Sequence, residues 1–173
     1  MDAQMKRTWA EVDFDKLAHN YHALRGLAPA GTKYLGLVKA DAYGHGAVPV
    51  AKKLEELGAD YLGVACLDEA IEVREAGVKT PILILGCTSS IYAAELVKYN
   101  ITQACYDLEY AKELSAGAQK AGGTITVHIQ CDTGMTRLGF MCHEDTMEKS
   151  ASEIIEAVKL PGLKAEGIFT HFS

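Results

Sequence analysis

The sequence predicts an α/β protein whose parallel strands and helices alternate and curve into a (β/α) barrel of the TIM type. Six short apolar runs recur along the chain, and the segments between them carry apolar residues at every third or fourth position. Glycines follow several of these segments and aspartates precede others, as expected where helices end and begin. A closed barrel needs eight strand–helix units and typically about 250 residues. The 173 residues therefore predict an incomplete barrel of about six units.

The six apolar runs are the predicted core strands, because each is short and bounded by residues that favour turns. In chain order they are KYLGLVK (33–39), YLGVAC (61–66), PILILG (81–86), ITQACY (101–106), ITVHIQC (125–131) and LKAEGIFTH (163–171). A further strand-like segment, TWAEVDF (8–14), comes before the first of them. Strands joined through helices run parallel, so their carboxyl ends meet at one edge of the sheet.

Four segments between the runs have the spacing of amphipathic helices, which places one apolar stripe of each against the sheet. The stripes are Leu17, Tyr21, Leu24 and Ala28; Val50, Leu54 and Leu57; Leu108, Ala111, Leu114 and Ala118; and Met147, Ala151, Ile154 and Val158. The predicted helix ends are marked by Gly58, Gly77, Gly122 and Gly123, and the predicted N-caps are Asp15, Asp68 and Asp107.

A doubly wound open sheet is the alternative arrangement of such units. In its dinucleotide-binding form, a GxGxxG fingerprint follows the first strand. Gly44, Gly46 and Pro49 fit GxGxxP instead. The barrel is therefore the favoured fold class.

The composition limits what the protein binds. Lys and Arg number 17 and Asp and Glu 23, so the formal charge is −6, and no run of basic residues occurs. This balance disfavours nucleic-acid binding, which relies on clustered cations. The first twenty residues lack the apolar core of a signal peptide, and no later stretch approaches the length of a membrane span. We therefore expect a cytoplasmic protein without a membrane partner.

The cysteines do not have the spacing of metal ligands or redox pairs, and no metal site is predicted. They are Cys66, Cys87, Cys105, Cys131 and Cys142. We interpret them as free thiols that act mainly as small buried hydrophobes. The alternative is a ring of reactive thiols, because four of the five fall near the carboxyl ends of predicted strands.

Three strand ends carry side chains that are suited to chemistry, and in a (β/α) barrel reactive groups lie at those ends. Lys39 ends the first run, Arg137 belongs to the loop after the fifth, and His171 ends the sixth. Partial desolvation after an apolar strand favours the neutral form of a lysine amine, which can form a Schiff base with an aldehyde. The alternative is a lysine that simply extends to water.

Three motifs, in this order and spacing, resemble the N-terminal barrel of the alanine racemases, a family that uses pyridoxal phosphate. They are TWAEVDFDKLAHN, VKADAYGHG and CDTGMTRLGF. VKADAYGHG is highly specific for that family. The resemblance covers essentially all of this chain but under half of a full racemase.

The resemblance implies roles for four residues. Lys39 would hold pyridoxal 5'-phosphate as a Schiff base and would be one of two catalytic bases. Tyr43 would contact the cofactor phosphate, and Arg137 the phenolic oxygen of the cofactor and the substrate carboxylate. His171 would lie beside the pyridine ring. The implied reaction interconverts L-alanine and D-alanine in a homodimer and supplies D-alanine for peptidoglycan.

The chain departs from the family pattern at two neighbouring positions. Many members have a lysine, often carbamylated, where this chain has Gln130, and a valine where it has Cys131. A carbamylated lysine is an anion that would hold Arg137, whereas glutamine offers only a neutral amide oxygen. We therefore expect Arg137 to be held less firmly, or by another anion, which leaves the substrate breadth open.

The resemblance also implies a division of the chain. Residues 1–14 would form an N-terminal strand segment that packs with a C-terminal β-domain absent from this chain, and residues 15–173 would form the partial barrel. The second base, a tyrosine of the partner subunit, would also lie outside this chain, so the isolated chain is expected to be inactive. Two alternatives are a non-catalytic pyridoxal-phosphate-binding barrel and a racemase for another amino acid such as serine. A decarboxylase of the same fold type is disfavoured by VKADAYGHG.

Overall fold

The computed structural model describes residues 8–173 and contains a parallel sheet with helices packed against it. The strands of the described residues are β1 (Leu35–Leu37), β2 (Tyr61–Val64), β3 (Ile82–Ile84), β4 (Thr102–Cys105), β5 (Ile125–Asp132), β6 (Phe140–Met141) and β7 (Leu163–Thr170). Their order is β1, β2, β3, β4, β5, β7, and β6 pairs with the last two residues of β5. Every ladder is parallel. The predicted fold class and six core strands are confirmed, and the short β6 is an addition.

The helices fill the connections between strands. They are α1 (Phe14–Leu27), α2 (Lys39–Gly44), α3 (Ala47–Glu56), α4 (Leu67–Glu75), α5 (Ala93–Tyr99), α6 (Leu108–Lys120) and α7 (Met147–Ala157), with a 3₁₀ turn at Ser90–Tyr92. As predicted, Asp107 caps α6, because its carboxylate accepts a hydrogen bond from the backbone N–H of Tyr110 at 2.7 Å. None of the helices of residues 8–173 has the length and apolar character needed to cross a bilayer.

The N-terminal segment differs from its predicted form. Residues 8–13 form no strand, and Phe14 begins α1. The N-cap of α1 is Asp13, two residues before the predicted Asp15, because the carboxylate of Asp13 accepts hydrogen bonds from the N–H groups of Asp15 and Lys16. Residues 1–7 lie outside the described residues, and the packing of residues 1–14 with a further domain stays a prediction.

Another helix start and two apolar stripes also differ from prediction, and on α1 the predicted Leu24 is 55% exposed. Cys66 precedes α4, so Asp68 lies within its first turn instead of at the cap. On α7 the buried residues are Ser150 and Ala157, whereas the predicted Met147 is 55% exposed. Ser150 is buried because its hydroxyl donates to the carbonyl of Met141 at 2.7 Å, which removes the cost of burying it.

Alternation along the strands separates two faces of the sheet. Leu62, Val64, Ile82 and Ile84 are all inaccessible to solvent and belong to the core cluster formed with the helices. The opposite face is close-packed around Gly63, where a Cβ atom would lie 2.6 Å from Leu37 and 2.8 Å from Leu35. Only glycine fits there without displacing the neighbouring leucines.

A polar cluster spans the concave face near the amino ends of the strands. The hydroxyl of Tyr61 donates to the carboxylate of Glu166 at 2.7 Å, across 105 residues of sequence. A break in the β5–β7 register lies between Val127 and His128 and gives β7 one extra residue, Glu166. The ring of His128 packs on Gly167, where a Cβ atom would be 2.9 Å from it. This cluster joins β2, β5 and β7. A direct hydrogen bond from β2 to β7 requires a curved sheet, because β3, β4 and β5 lie between these strands.

Burial gives His128 a defined effect on stability. Desolvation lowers its pKa below the ordinary value, opposed by the charge of Glu166, and its Nε2 has no hydrogen-bond partner among the described residues. Below a pH of about 6.5 the unfolded chain therefore binds a proton at this site more readily than the folded chain does. We predict that stability falls as the pH is lowered from 7 through that window.

The measurement is the melting temperature of the protein and of His128→Phe at several pH values between 7 and 5. The phenyl ring keeps the packing on Gly167 but does not titrate, so its melting temperature is expected to vary less over this range. His19→Phe, at an exposed site on α1, is the control and should follow the unmodified protein. A variant His128→Phe with an unchanged pH dependence would contradict the prediction.

The outer sides of β1 and β7 have no strand partner within residues 8–173. Leu37 on β1 is 41% exposed and Ile168 on β7 is 65% exposed. Unpaired edges with apolar side chains favour association. We predict that this 173-residue chain self-associates, that Ile168→Lys shifts it toward monomer in sedimentation experiments, and that Leu27→Lys at an exposed helix end does not. A monomer at all concentrations would contradict this prediction.

Candidate active site

The candidate residues lie where the parallel strands end. Lys39 follows β1, with Val38 between them, Arg137 lies on the loop from β5 to β6, and His171 follows β7 directly. Because all these strands run in the same direction, the three positions share the carboxyl-terminal edge of the sheet. The side chain of Lys39 is half-buried, and those of Arg137 and His171 are exposed.

Lys39 is followed by a left-handed turn, which is the feature of this region that the sequence did not predict. Ala40, Asp41, Ala42 and Tyr43 of α2 all have φ between 50° and 56°. This conformation costs roughly 1–2 kcal/mol for each residue other than glycine. The carboxylate of Asp41 compensates part of the cost by accepting a hydrogen bond from the N–H of Ala47 at 2.6 Å. The turn brings the Tyr43 ring centroid to 5.9 Å from the Lys39 Nζ.

The loop that carries Arg137 is organised by the buried Asp132 at the end of β5. Its carboxylate accepts hydrogen bonds from the backbone N–H groups of Gly134, Thr136 and Arg137 at 2.9, 3.0 and 2.9 Å. The N–H groups of Thr136 and Gly134 are the main cause that lowers the pKa of Asp132 below its ordinary value. The Asp-x-Gly sequence was a signal for this turn, because aspartate favours such local hydrogen bonds.

A narrow cleft beside this loop brings Arg137 and His171 together. It is lined by both residues and by Gln130, Cys131 and Met135. Gln130 is only 3% exposed, and its Oε1 accepts no hydrogen bond from the described residues. A buried unpaired acceptor costs about 1–3 kcal/mol. As expected, the neutral amide does not hold Arg137, and the cleft retains an unused acceptor.

The four candidate residues thus form two pairs at one edge. Lys39 and Tyr43 lie after β1, and Arg137 and His171 lie between the ends of β5 and β7. The arrangement can present a primary amine and a phenol on one side and a guanidinium and an imidazole on the other.

The cysteines only partly match the interpretation as buried hydrophobes. All five are free thiols, but Cys66 and Cys87 are exposed and line a cavity at the ends of β2 and β3, whereas Cys105 is buried. Desolvation raises the pKa of Cys105 to about 12, so this thiol stays protonated at neutral pH. Among residues 8–173, no group of three His, Cys, Asp or Glu side chains could hold a metal ion.

Comparisons with known proteins agree with this geometry. The sequence pattern of the alanine racemase N-terminal domain matches residues 12–173. The alanine racemase of Clostridium perfringens is 44% identical over 173 residues, which is 100% of this chain and 44% of that protein. Alanine racemase 1 of Caldanaerobacter subterraneus subsp. tengcongensis is 41% identical over 169 residues, covering 98% of this chain and 42% of its own length.

A solved structure gives the same result. The alanine racemase of Clostridium difficile 630 in complex with cycloserine superposes with a TM-score of 0.92 at 43% identity. The superposition covers 98% of this chain and 45% of the other. This chain therefore spans less than half the length of the curated relatives that it matches.

The role of Asp132 can be tested by Asp132→Asn. One amide oxygen cannot replace a carboxylate that accepts three backbone hydrogen bonds, and the amide adds a donor that faces other donors. We predict faster hydrogen exchange at the Thr136 and Arg137 amides, measured by NMR. Asp145→Asn, at an exposed carboxylate in the following loop, is the control and should leave these amides unchanged.

Acid has a related effect on the same loop. The pKa of Asp132 is lowered in the folded protein, so its hold on the loop is fully present above about pH 3.8 and is lost as the pH falls through the lower folded value. Exchange rates at Thr136 and Arg137 that do not respond to Asp132→Asn would contradict this account of the loop.

Proposed function

Because this chain belongs to the alanine racemase N-terminal domain family, we propose that it is the cofactor-holding part of a racemase that interconverts L-alanine and D-alanine. The observation that carries the proposal is the position of Lys39, two residues after the end of β1 and before a left-handed turn, on the same edge as Arg137 and His171. Reactive groups of (β/α) barrels lie at this edge.

The chemistry of these side chains fits pyridoxal 5'-phosphate. The amine of Lys39 suits the aldehyde of the cofactor, the phenol of Tyr43 its phosphate, the guanidinium of Arg137 its phenolic oxygen, and the imidazole of His171 its ring. Lys39 and Tyr43 follow β1, whereas Arg137 and His171 lie after β5 and β7. The carboxyl ends of β2, β3 and β4 lie between these two pairs and are left for a ligand. When bound, the cofactor supplies an electron sink that allows the α-proton of an amino acid to leave.

Lys39 is proposed as the base that moves this proton on one face of the substrate. Racemisation requires that a proton leaves from one face and returns to the other, so it needs a second base on the opposite side. We assign that base to polypeptide outside this chain, contributed by the partner subunit in a homodimer. The isolated chain is then expected to exchange the proton on one face at most.

Arg137 is proposed to bind the substrate carboxylate. Its planar guanidinium can pair with a carboxylate through two parallel hydrogen bonds, and Asp132 fixes the backbone from which it extends. Gln130 adds no charge to the cleft, so no anion from that position competes with a ligand for Arg137. We therefore expect Arg137→Lys to weaken substrate binding, because a lysine ammonium cannot form the two parallel hydrogen bonds of a guanidinium.

The proposal extends to the biological role. D-Alanine made by the complete enzyme in the cytoplasm would be used in peptidoglycan synthesis. Support comes from the curated relatives, which are named alanine racemase and are 41–45% identical to this chain. Two other functions remain to be separated by experiment: a non-catalytic pyridoxal-phosphate-binding barrel and a racemase for another amino acid such as serine.

The decisive test is labelling at Lys39. Pyridoxal 5'-phosphate is added to the protein, borohydride reduces the adduct, and peptide mapping locates the label. We predict that Lys39 carries it and that Lys39→Ala abolishes both the label and the visible absorbance. Lys52→Ala, at an exposed lysine on α3, should change neither. A label on another lysine in the unmodified protein would contradict the assignment.

Solvent-deuterium incorporation separates the three functions. Incorporation at the α-carbon of alanine in the presence of the cofactor supports a racemase half-reaction. A complete, cofactor-binding protein without exchange on any amino acid would support the non-catalytic alternative, whereas absence of exchange in this chain alone would not, because the second base is assigned to polypeptide outside it. Faster exchange on serine than on alanine would support a racemase of different specificity.

A further inference from the structure

The carboxylate of Glu69 on α4 binds backbone N–H groups that follow two neighbouring strands, β1 and β2. Oε1 of Glu69 accepts a hydrogen bond from the N–H of Ala40 at 2.7 Å, and Oε2 accepts one from the N–H of Ala65, also at 2.7 Å. Ala40 is the residue after Lys39, and Ala65 is the residue after β2. Glu69 thus joins the start of the left-handed turn to the end of the neighbouring strand.

Ala65 is a fixed point in this arrangement. The ladder between β1 and β2 pairs Leu37 with Gly63, two residues before Ala65. The next strand end also approaches closely, because a Cβ atom on Gly86 would clash with the carbonyl oxygen of Ala65. A carboxylate that is bound to Ala65 therefore has little freedom to move.

The left-handed turn needs an external hold on its first residue. Ala40 has φ 50° and ψ 50°, and the three residues that follow have similar values. The left-handed region is unfavourable for alanine. A hydrogen bond from the Ala40 amide to a residue outside the turn therefore helps to hold this conformation. Asp41 anchors the turn to Ala47 at its far end, and Glu69 is the contact at its beginning.

We propose that Glu69 is a positioning residue for Lys39: by binding the amides of Ala40 and Ala65 together, it fixes the direction in which Lys39 leaves β1. The inference rests on the proposed function only in that Lys39 is taken as the reactive lysine. Both hydrogen bonds are charge-assisted, which makes them shorter and stronger than neutral ones. Glu69 also lies in the first turn of α4, where a carboxylate favours the helix, so a purely structural role has to be distinguished.

The first measurement uses the unmodified protein. A scalar coupling through the hydrogen bond, between the Ala40 amide nitrogen and the Glu69 carboxylate carbon, is expected in NMR spectra at neutral pH. The same coupling is expected between Ala65 and Glu69. Since no substitution is involved, this measurement does not depend on whether a variant folds, and absence of the Ala40 coupling would overturn the proposal.

The second measurement uses Glu69→Gln. Glutamine keeps one acceptor oxygen and places a donor against the other amide, so one charge-assisted hydrogen bond is lost. The Ala40 amide is expected to exchange about 10- to 100-fold faster with solvent. Glu72→Gln removes a charge from an exposed position of the same helix and should leave Ala40 unchanged. Faster exchange along all of α4 with Ala40 unaffected would mean that Glu69 serves only the helix, and would overturn the proposal.

The third measurement reads Lys39 itself without any cofactor. Labelling of Lys39 by an amine-directed reagent, relative to the exposed Lys52 in the same sample, should change in Glu69→Gln and not in Glu72→Gln. An unchanged ratio in a folded Glu69→Gln protein would overturn the proposal. Failure of the unmodified protein to bind pyridoxal 5'-phosphate would instead overturn the proposed function, and the exchange data would still decide whether Glu69 holds the turn.

Discussion

The arrangement of the candidate site depends on the parallel pairing of β5. This strand has eight residues, pairs with β4 on one side and along most of its length with β7 on the other, and pairs with β6 through its last two residues. Because β5 is shared, Asp132, the loop behind it and the residue after β7 are all fixed at one edge. A slip of one residue would exchange the two faces of the strand and would remove Gln130 from the cleft that Arg137 and His171 line.

Carboxylates at this edge accept hydrogen bonds from backbone amides. Asp132 organises the arginine loop, Asp41 anchors the left-handed turn, and Glu69 binds the amide that follows Lys39. The ion pairs of the described residues include neither Lys39 nor Arg137, although His143 Nε2 lies 3.8 Å from the carboxylate of Asp132. Lys39 and Arg137 therefore keep their hydrogen-bonding capacity for a ligand, because the chain is positioned without using them.

The periodicity of apolar residues was sufficient to predict the fold and the edge of the sheet on which the candidate residues lie. Apolar runs predict strands well here because buried parallel strands are nearly continuous in hydrophobicity. The left-handed turn could not be predicted in the same way, because Ala40, Asp41, Ala42 and Tyr43 have no preference for that conformation and adopt it through contacts made by residues distant in sequence. Helix α1 begins earlier than predicted for a local reason, since Asp13 instead of Asp15 caps it and binds two amides, and residues 8–13 pair with no strand among the described residues. Short-range hydrogen bonds of this kind compete with the secondary structure that the hydrophobic pattern predicts.

The two ends of the sheet have separate physical tasks. Near the amino ends of the strands, Tyr61, His128 and Glu166 form a cluster that joins β2, β5 and β7 across the concave face. Its hydrogen bond joins two residues that are 105 positions apart in the sequence. At the carboxyl ends, the left-handed turn and the arginine loop carry conformational strain that must be supported from outside. The contacts that join distant strands are therefore made by residues other than those that present the candidate reactive groups.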